Sequence, residues 1–396
     1  LVYTDGWLMI LRDEPLADAE TSLLPTEDGK PSTWTQQPNL KFNAMFQRGL
    51  PKGILIVGDA GPAADKSVKQ AAKEQLAQLD GVGSLSLKAS ESSTQYPPFF
   101  VISSELADNL LEPSGNSIEE LRAQIGESVT PVVFAVPDVV VSSTLSNGGD
   151  ELGTENVLAL VEGSDPVLKN EVVLISSHYD HIGLASGSKD GDTVNNGADD
   201  DGSGTVALLE IAEAFMRAKE DGHGPRRSIL FVNFTGEEKG LLGSAYFADV
   251  EPTVALENIV SVLNIDMIGR ADPTHTGDSD QYVYIIGSNL ISKELHEINV
   301  GVNDVTGIGL DLNERFNSKD DPNRFYARSD QWNFGKHNIP FIFFFTGTHE
   351  DYHQPGDEAH KILYDRMADI SRLIFGTAWQ LANQDERPEL SGTGFN

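Results

Sequence analysis

The run from Glu171 to Gly204 constrains this chain more than any other stretch. Its apolar start, Val172 to Ile175, predicts a buried strand that ends directly in Ser176, Ser177, His178, Tyr179, Asp180 and His181. A Gly- and Asn-rich loop leads on to Asp199, Asp200 and Asp201, and Gly202-Ser203-Gly204 opens a helical pattern reaching about Lys219. Side chains at the end of a strand are firmly held. Three adjacent carboxylates repel one another and raise each other's pKa unless a counter-charge is present. Beside a His-x-Asp pair they point to bound cations, against the plainer reading of a solvated acidic loop.

From Thr154 onward, predicted strands alternate with helices. The strands are Asn156 to Val161, Val172 to Ser176, Ser228 to Phe234, Ile259 to Ile265, Tyr282 to Ile286 and Ile339 to Phe345. The pattern predicts the α/β class: a mostly parallel, mixed central sheet with helices on both faces. In the helix from Gly204 to Lys219, Leu208, Ile211 and Phe215 form one stripe beside Leu209, Ala212 and Met216, and Tyr364 to Asn383 reads as a terminal helix. Open sheets of this kind bind ligands beyond the carboxyl ends of their strands. Metal-capable side chains stand at those ends: Glu237 and Glu238 after the Ser228 strand, Asp266 after the Ile259 strand, and His353 in the loop Thr346 to Gly356.

The first part of the chain reads differently. Strands are predicted at Trp7 to Leu11, Gly53 to Val57, Phe99 to Ser103 and Pro131 to Val141, and helices at Lys66 to Leu79 and Ser117 to Ile125, the latter with a Ser117/Glu120 capping box. Gly58 to Pro62 reads as a turn, and the Ser/Asn/Gly stretch Ser142 to Gly149 as a boundary. The expected division is a smaller α+β module over 1–145, a catalytic domain over 150–385 and a frayed tail over 386–396.

Charge narrows the partners. Lys and Arg total 28 against 61 Asp and Glu, a net charge of −33, so a nucleic-acid backbone or an anionic membrane would be repelled. No apolar run approaches the ~18 residues of a membrane span. With no Cys, a transition metal must be held by His, Asp and Glu. The sequence starts at Leu1 without an initiator Met or a signal peptide, which reads as a processed or trimmed form, and the acidic surface suits an extracellular or periplasmic setting.

These motifs carry a resemblance. His178-x-Asp180, Gly197-Ala198-Asp199-Asp200-Asp201-x-Ser203-Gly204, Glu237-Glu238 with Gly240-Leu241 and Gly243-Ser244, Asn264-Ile265-Asp266-Met267 and Tyr352-His353, in that order, resemble the dizinc exopeptidases of the aminopeptidase Y and bacterial leucyl aminopeptidase type. The match covers roughly residues 154 to 385, and the first module resembles a protease-associated domain. The resemblance implies the zinc exopeptidase (phosphorylase/hydrolase-like) fold and two zinc ions bridged by Asp200. His178 and Asp266 would complete one site, and Glu238 and His353 the other. Co or Mn suits the same ligands. Such a pair holds a water or hydroxide and polarises a peptide carbonyl. Asp180 is then expected to accept the second imidazole N–H of His178, Glu237 to be the general base, and Tyr326, in Tyr326-Ala327-Arg328-Ser329-Asp330, to stabilise the oxyanion. Two departures stand out: Gln331 replaces a His that often follows Ser-Asp, which bears on the substrate pocket, and little or nothing of the peptidase segment that precedes this module in many relatives is seen, so that it was either removed or is lacking in this arrangement.

His349-Glu350-Asp351-Tyr352-His353 formally matches H-E-x-x-H, but it follows a strand and Gly347 and is cut off by Gln354-Pro355-Gly356, so no helix brings its two His together. On this reading His349 and Glu350 are loop residues near the site, His181 lines the pocket, and His223, His275, His296, His337 and His360 are surface or structural. The implied function is a metal-dependent aminopeptidase acting on peptides. The alternatives are a carboxypeptidase or dipeptidase on the same centre, with Arg324 or Arg328 binding a substrate carboxylate, and a noncatalytic receptor-like ectodomain. Oligomeric state is not legible.

Overall fold

The computed structural model describes residues 6–394 apart from 19, 27–28, 33–34, 36–44, 46–48, 59–67, 69–84, 88–96, 144–150, 186–190 and 278–279. The chain divides into two compact units, Leu1–Ser84 with Ser90–Asp150, and Leu85–Ala89 with Glu151–Asn396.

Among its described residues the smaller unit holds three strands, β1 (Trp7–Leu11), β2 (Gly53–Val57) and β3 (Phe99–Ile102), all parallel in the order β1-β2-β3. Two helices follow. In α1 (Ser104–Leu111) the Ser103 side chain accepts from Leu106 N–H, and α2 (Ile118–Ser128) begins with both halves of the predicted Ser117/Glu120 capping box. Leu55, Val57, Ile102, Ala107, Leu111 and Ile118 form its core. Pro131 to Val141 is not a strand. Neither Pro131 nor Pro137 has an N–H for a ladder, the chain turns at Asp138 (φ 60°), and Val133 and Val140 are exposed. The predicted helix Lys66 to Leu79, the turn Gly58 to Pro62 and the boundary Ser142 to Gly149 lie largely outside the described residues.

The larger unit is built on a seven-stranded sheet: β4 (Val157–Val161), β5 (Val172–His178), β6 (Ser228–Phe234), β7 (Ile259–Ile265), β8 (Tyr282–Ile286), β9 (Asp311–Asn313) and β10 (Phe341–Phe345), in the order β4-β6-β5-β7-β10-β8-β9. The four central strands, β6, β5, β7 and β10, are mutually parallel, while β4 and β8 run antiparallel to their inner neighbours. Every residue of these four strands is buried, as continuous apolar runs covered on both faces require. Alternation then divides them: Val173, Ile175, Ile229, Phe231, Leu263, Ile265, Ile342 and Phe344 enter one core, and Val172, Leu174, Leu230, Val232, Val262, Phe341 and Phe343 enter the other.

The two faces are covered unequally. Three long helices, α3 (Gly202–Glu220), α4 (Lys293–Thr306) and α5 (Tyr364–Asn383), contribute to the first core. The opposite face is closed by short helical segments, Leu242–Ala245, Tyr246–Val250, Phe325–Ala327 and Trp332–Gly335, which insert Phe247, Phe325 and Phe334, and by a loop that inserts Phe316. On α3 the buried stripe is Leu208, Ile211 and Phe215. Leu209 and Met216, expected beside it, face solvent because they project from the helix edge away from the sheet. The tail expected to fray is tied back: Gly392 N–H donates to Ile291 O at 2.8 Å and Gly394 N–H to Leu290 O at 2.7 Å, and Arg387 Nε reaches Glu171 at 2.8 Å. Among the described residues no helix is long and apolar enough to cross a membrane.

Candidate metal centre

Because β6, β5, β7 and β10 are parallel neighbours, their carboxyl ends lie side by side, and the chain leaves each end with a side chain of interest. β5 delivers His178 as its last residue; Asp266 follows β7; Glu237 and Glu238 lie in the turn after β6; and His353 lies in the loop after β10, with φ 58°. Asp200 comes from the turn that starts α3. The structure thus brings together all five residues expected as ligands. His178 Nε2 lies 3.2 Å from Asp200 Oδ1 and 3.7 Å from Asp266 Oδ2, while His353 Nε2 lies 3.0 Å from Asp200 Oδ2 and 3.4 Å from Glu238 Oε1.

Two of the ligand atoms here are buried and unpartnered. His178 Nε2 and Glu238 Oε1 lie in fully or nearly enclosed side chains and have no hydrogen-bond partner among the described residues. Leaving such groups bare costs about 1–3 kcal/mol each, more if charged, so their convergence fits a cation between them. The fit test is met by the chemistry of the set, only imidazole nitrogens and carboxylate oxygens, and by two groups that share Asp200, His178 with Asp200 and Asp266 and His181 with Asp200 and Glu238, each with its ligand atoms within 4.8 Å of one another.

The three adjacent aspartates have three separate duties. Asp201 caps α3, accepting from Gly204 N–H at 3.1 Å, and also accepts the backbone N–H of His178 at 3.0 Å. Burial pushes its carboxyl well above the usual range. Asp199 accepts from Gly269 N–H at 2.6 Å and faces the buried His349 Nε2 at 3.3 Å. Only Asp200 faces both imidazoles of the centre. Burial opposes its charge, but His178 and His353 outweigh that and hold its carboxyl far below the usual range. Its own backbone N–H and that of Asp199 are bonded by Asp357, which fixes the turn. The peptide bonds Asp200-Asp201 and Asp266-Met267 are cis.

Asp180 takes a different place from the one expected. The partner of His178 Nδ1 is the backbone carbonyl of Asp180 at 3.0 Å, with the carboxylate farther off at 3.8 Å. That carboxylate instead accepts the backbone N–H groups of Glu237 (3.1 Å) and Glu238 (3.3 Å). A carbonyl two residues along reaches the ring more directly than the side chain, which is left free to hold the next loop. Glu237 projects into the cluster, 3.9 Å from His178 Nε2, and burial followed by the Asp266 carboxylate pushes its pKa well above the usual range.

Under Asp266 lies a buried polar network. Ser329 Oγ donates to Asp266 Oδ2 (2.5 Å), Asn264 Nδ2 donates to Ser329 Oγ and Gln331 Oε1 (2.9 Å each), and Ser176 Oγ donates to Asn264 Oδ1 at 2.6 Å. Gln331, expected to bear on the substrate pocket, is fully buried here, and its Nε2 donates to Tyr326 O at 3.1 Å. Its amide supplies both a donor and an acceptor to this network. Tyr326 is nearly buried against Trp332, and its hydroxyl accepts from Arg324 Nε at 3.3 Å.

The H-E-x-x-H copy forms no helix, and its two His face different aspartates, His349 towards Asp199 and His353 towards Asp200. Glu350 is exposed, 3.4 Å from Arg270. His275 stacks on Tyr282 at 3.7 Å, His296 bonds Ser288, His337 bonds Asp249, and His223 and His360 are exposed. His181 stands closer than a pocket lining: its Nδ1 is 2.9 Å from Glu238 Oε1.

Comparison with known proteins follows this geometry. Residues 156–378 match the sequence profile of peptidase family M28, and the smaller unit lies outside the match. Leucine aminopeptidase 1 of Sclerotinia sclerotiorum is 29% identical over 238 residues, 58% of this chain and 56% of the relative. A probable zinc metalloprotease of Pyrenophora teres f. teres is 25% identical over 329 residues, 72% of this chain and 60% of the relative. The chain spans less than two thirds of the length of either. Among solved structures, BSAP, a zinc aminopeptidase from Bacillus subtilis, aligns over 60% of this chain and 52% of its own at 20% identity, with a TM-score of 0.45.

Proposed function

The chain belongs to peptidase family M28, and on that premise we propose that it is a zinc-dependent aminopeptidase acting on peptides outside the cell or in a periplasm. The observation that carries this reading is the convergence of unpartnered imidazole nitrogens and carboxylate oxygens on Asp200, at the carboxyl ends of four parallel strands. Its relatives' names, leucine aminopeptidase and zinc metalloprotease, support the metal and the reaction.

His178, Asp200 and Asp266 would hold one ion, and Asp200, Glu238 and His353 a second. When bound, the metals supply Lewis acidity, polarising a peptide carbonyl and making water more acidic. Glu237 is the general base: its carboxylate reaches into the cluster, and its backbone is fixed by Asp180, so it can take a proton from the attacking water and return it to the departing amine. Tyr326 is assigned the oxyanion, with its hydroxyl oriented by Arg324. The excess of carboxylates over imidazoles favours a substrate's terminal ammonium.

The test is Glu237→Ala, assayed with aminoacyl and peptide substrates beside elemental analysis. Full metal content with turnover reduced at least ~100-fold is expected; turnover close to wild type would sink the assignment. Peptides blocked at one terminus or the other fix the direction of attack. If cleavage survives a blocked amino terminus but not a blocked carboxyl terminus, the carboxypeptidase reading with Arg324 or Arg328 replaces this one. The smaller unit is proposed as a protease-associated module over 1–145, and the catalytic domain to run over 150–385.

A further inference from the structure

His181 takes part in none of the roles assigned so far, yet it is placed more like a ligand than like a pocket wall. Its ring is largely buried, and neither Nδ1 nor Nε2 has a hydrogen-bond partner among the described residues. Nδ1 lies 2.9 Å from Glu238 Oε1, but the two atoms are not aligned as donor and acceptor, and Glu238 Oε1 is itself unpartnered. Two polar atoms this close that do not point at each other are both pointing at something else.

The surrounding distances say where. His181 Nδ1 stands 2.9 Å from Glu238 Oε1 and 4.0 Å from Asp200 Oδ2, and His353 Nε2 stands 3.4 Å and 3.0 Å from the same two oxygens. His181, Asp200 and Glu238 each bring a ligand atom within 4.8 Å of the other two, the grouping a shared cation needs. The two rings meet edge to face with centroids 5.7 Å apart, so both can present a nitrogen to the same point. The chain makes room for this arrangement. At Gly197 (φ 63°) a Cβ would stand 2.8 Å from the His181 Cγ and 2.5 Å from the Asp200 carbonyl oxygen, so only glycine lets the ring lie against the turn that carries Asp200.

We propose that His181 is a fourth protein ligand of the ion held by Asp200, Glu238 and His353. The centre would then be asymmetric, with four protein side chains available at this position and three at the position of His178, Asp200 and Asp266. The inference rests on the proposed metal centre and adds to it a difference in how firmly its two positions hold an ion.

The experiment uses the intact chain loaded with zinc. Elemental analysis first gives the stoichiometry, and X-ray absorption at the zinc edge then counts imidazoles. Three imidazoles shared by two ions are expected; two imidazoles over two ions would overturn the proposal while leaving the metal centre intact. Failure to take up any zinc would instead overturn the proposed function and this inference with it. As an independent arm, His181→Ala and His181→Gln, checked for folding by far-UV circular dichroism, are dialysed against a graded chelator. Each should lose one ion selectively, with affinity at that site lowered at least ~100-fold, more than the loss of a residue that only orients a ligand. Wild-type retention of both ions in both variants refutes it.

Discussion

Replacing Asp180 by Ala separates two accounts of that residue. If its carboxylate served to orient the His178 ring, the substitution would weaken metal binding at the His178 position. The structure gives that task to the Asp180 backbone carbonyl, which Ala keeps, and gives the carboxylate the N–H groups of Glu237 and Glu238 at 3.1 and 3.3 Å. Hydrogen bonds to a charged group contribute about 1.5–3 kcal/mol each, and these are long and the carboxylate partly exposed, so about 3 kcal/mol for the pair is a fair working value. Applied to the placement of the general base, that is on the order of 100-fold in kcat. The expected result for Asp180→Ala is therefore a fall of about that size in kcat, with KM and zinc content near wild type, measured by steady-state hydrolysis of an aminoacyl substrate beside elemental analysis. Asp180→Asn retains one acceptor and should fall between the two. Loss of zinc from the Ala variant, with kcat per bound zinc restored at high zinc, would refute the reasoning and return the carboxylate to the His178 ring.

Asp201→Ala removes the cap of α3 and leaves the buried His178 N–H bare, so urea denaturation should show a loss of about 2–4 kcal/mol. Arg227, 1% exposed, binds Glu171 and the carbonyls of Leu381, Gln384 and Asp385 at the end of α5; Arg227→Met should cost about 3–5 kcal/mol in the same assay, because three carbonyls lose this partner and Glu171 is left with Arg387. Burial pushes the Asp330 carboxyl up to about 7. A folded pKa above the unfolded one of about 4 means that the native state binds the extra proton, so in zinc-free protein this group favours folding at low pH and the advantage is lost as pH rises from about 4 to 7. The difference in stability between wild type and Asp330→Asn should carry that slope, and a flat difference would show that the group titrates normally.

Much of the catalytic unit was legible because parallel strands buried on both faces must be continuous apolar runs. The predicted Ser228, Ile259 and Tyr282 strands match β6, β7 and β8 in their bounds. The strand order was not needed to expect the site, since the Val172, Ser228, Ile259 and Ile339 runs are each followed by a metal-capable side chain. Illegible features were those set by direction rather than composition. Nothing in Asp199-Asp200-Asp201 says that one side chain turns to a glycine N–H, one to two imidazoles and one to a helix start. That division follows from the turn geometry fixed by Asp357, more than 150 residues away. In the same way, Pro131 to Val141 has the composition of a strand but lacks two of the donors a ladder needs, and Gln331 looked like a pocket residue because its backing network is assembled from three separate segments.

The layout of that network explains how the centre can be both crowded with charge and rigid. Carboxylates packed this closely would relax apart if their backbones could yield, but each is anchored from behind by a group that bears no charge of its own or carries it elsewhere: Asp266 by Ser329, Asn264 and Gln331; Asp200 through its N–H by Asp357; Glu237 and Glu238 through theirs by Asp180. The anchors come from β7, from the segments before and after β10 and from the loop after β5, so opening any one ligand away from the others means breaking contacts to a separate part of the chain. The repulsion is therefore held in the folded chain and relieved when cations enter. Ions that bind only the folded state stabilise it by an amount set by their concentration over Kd, about 4 kcal/mol at a thousandfold excess. Chelation should accordingly lower the thermal midpoint and the urea midpoint together, with little loss of helical circular dichroism below the transition. If chelation leaves both midpoints unchanged, the anchoring alone suffices and the cluster does not depend on bound cations for its stability.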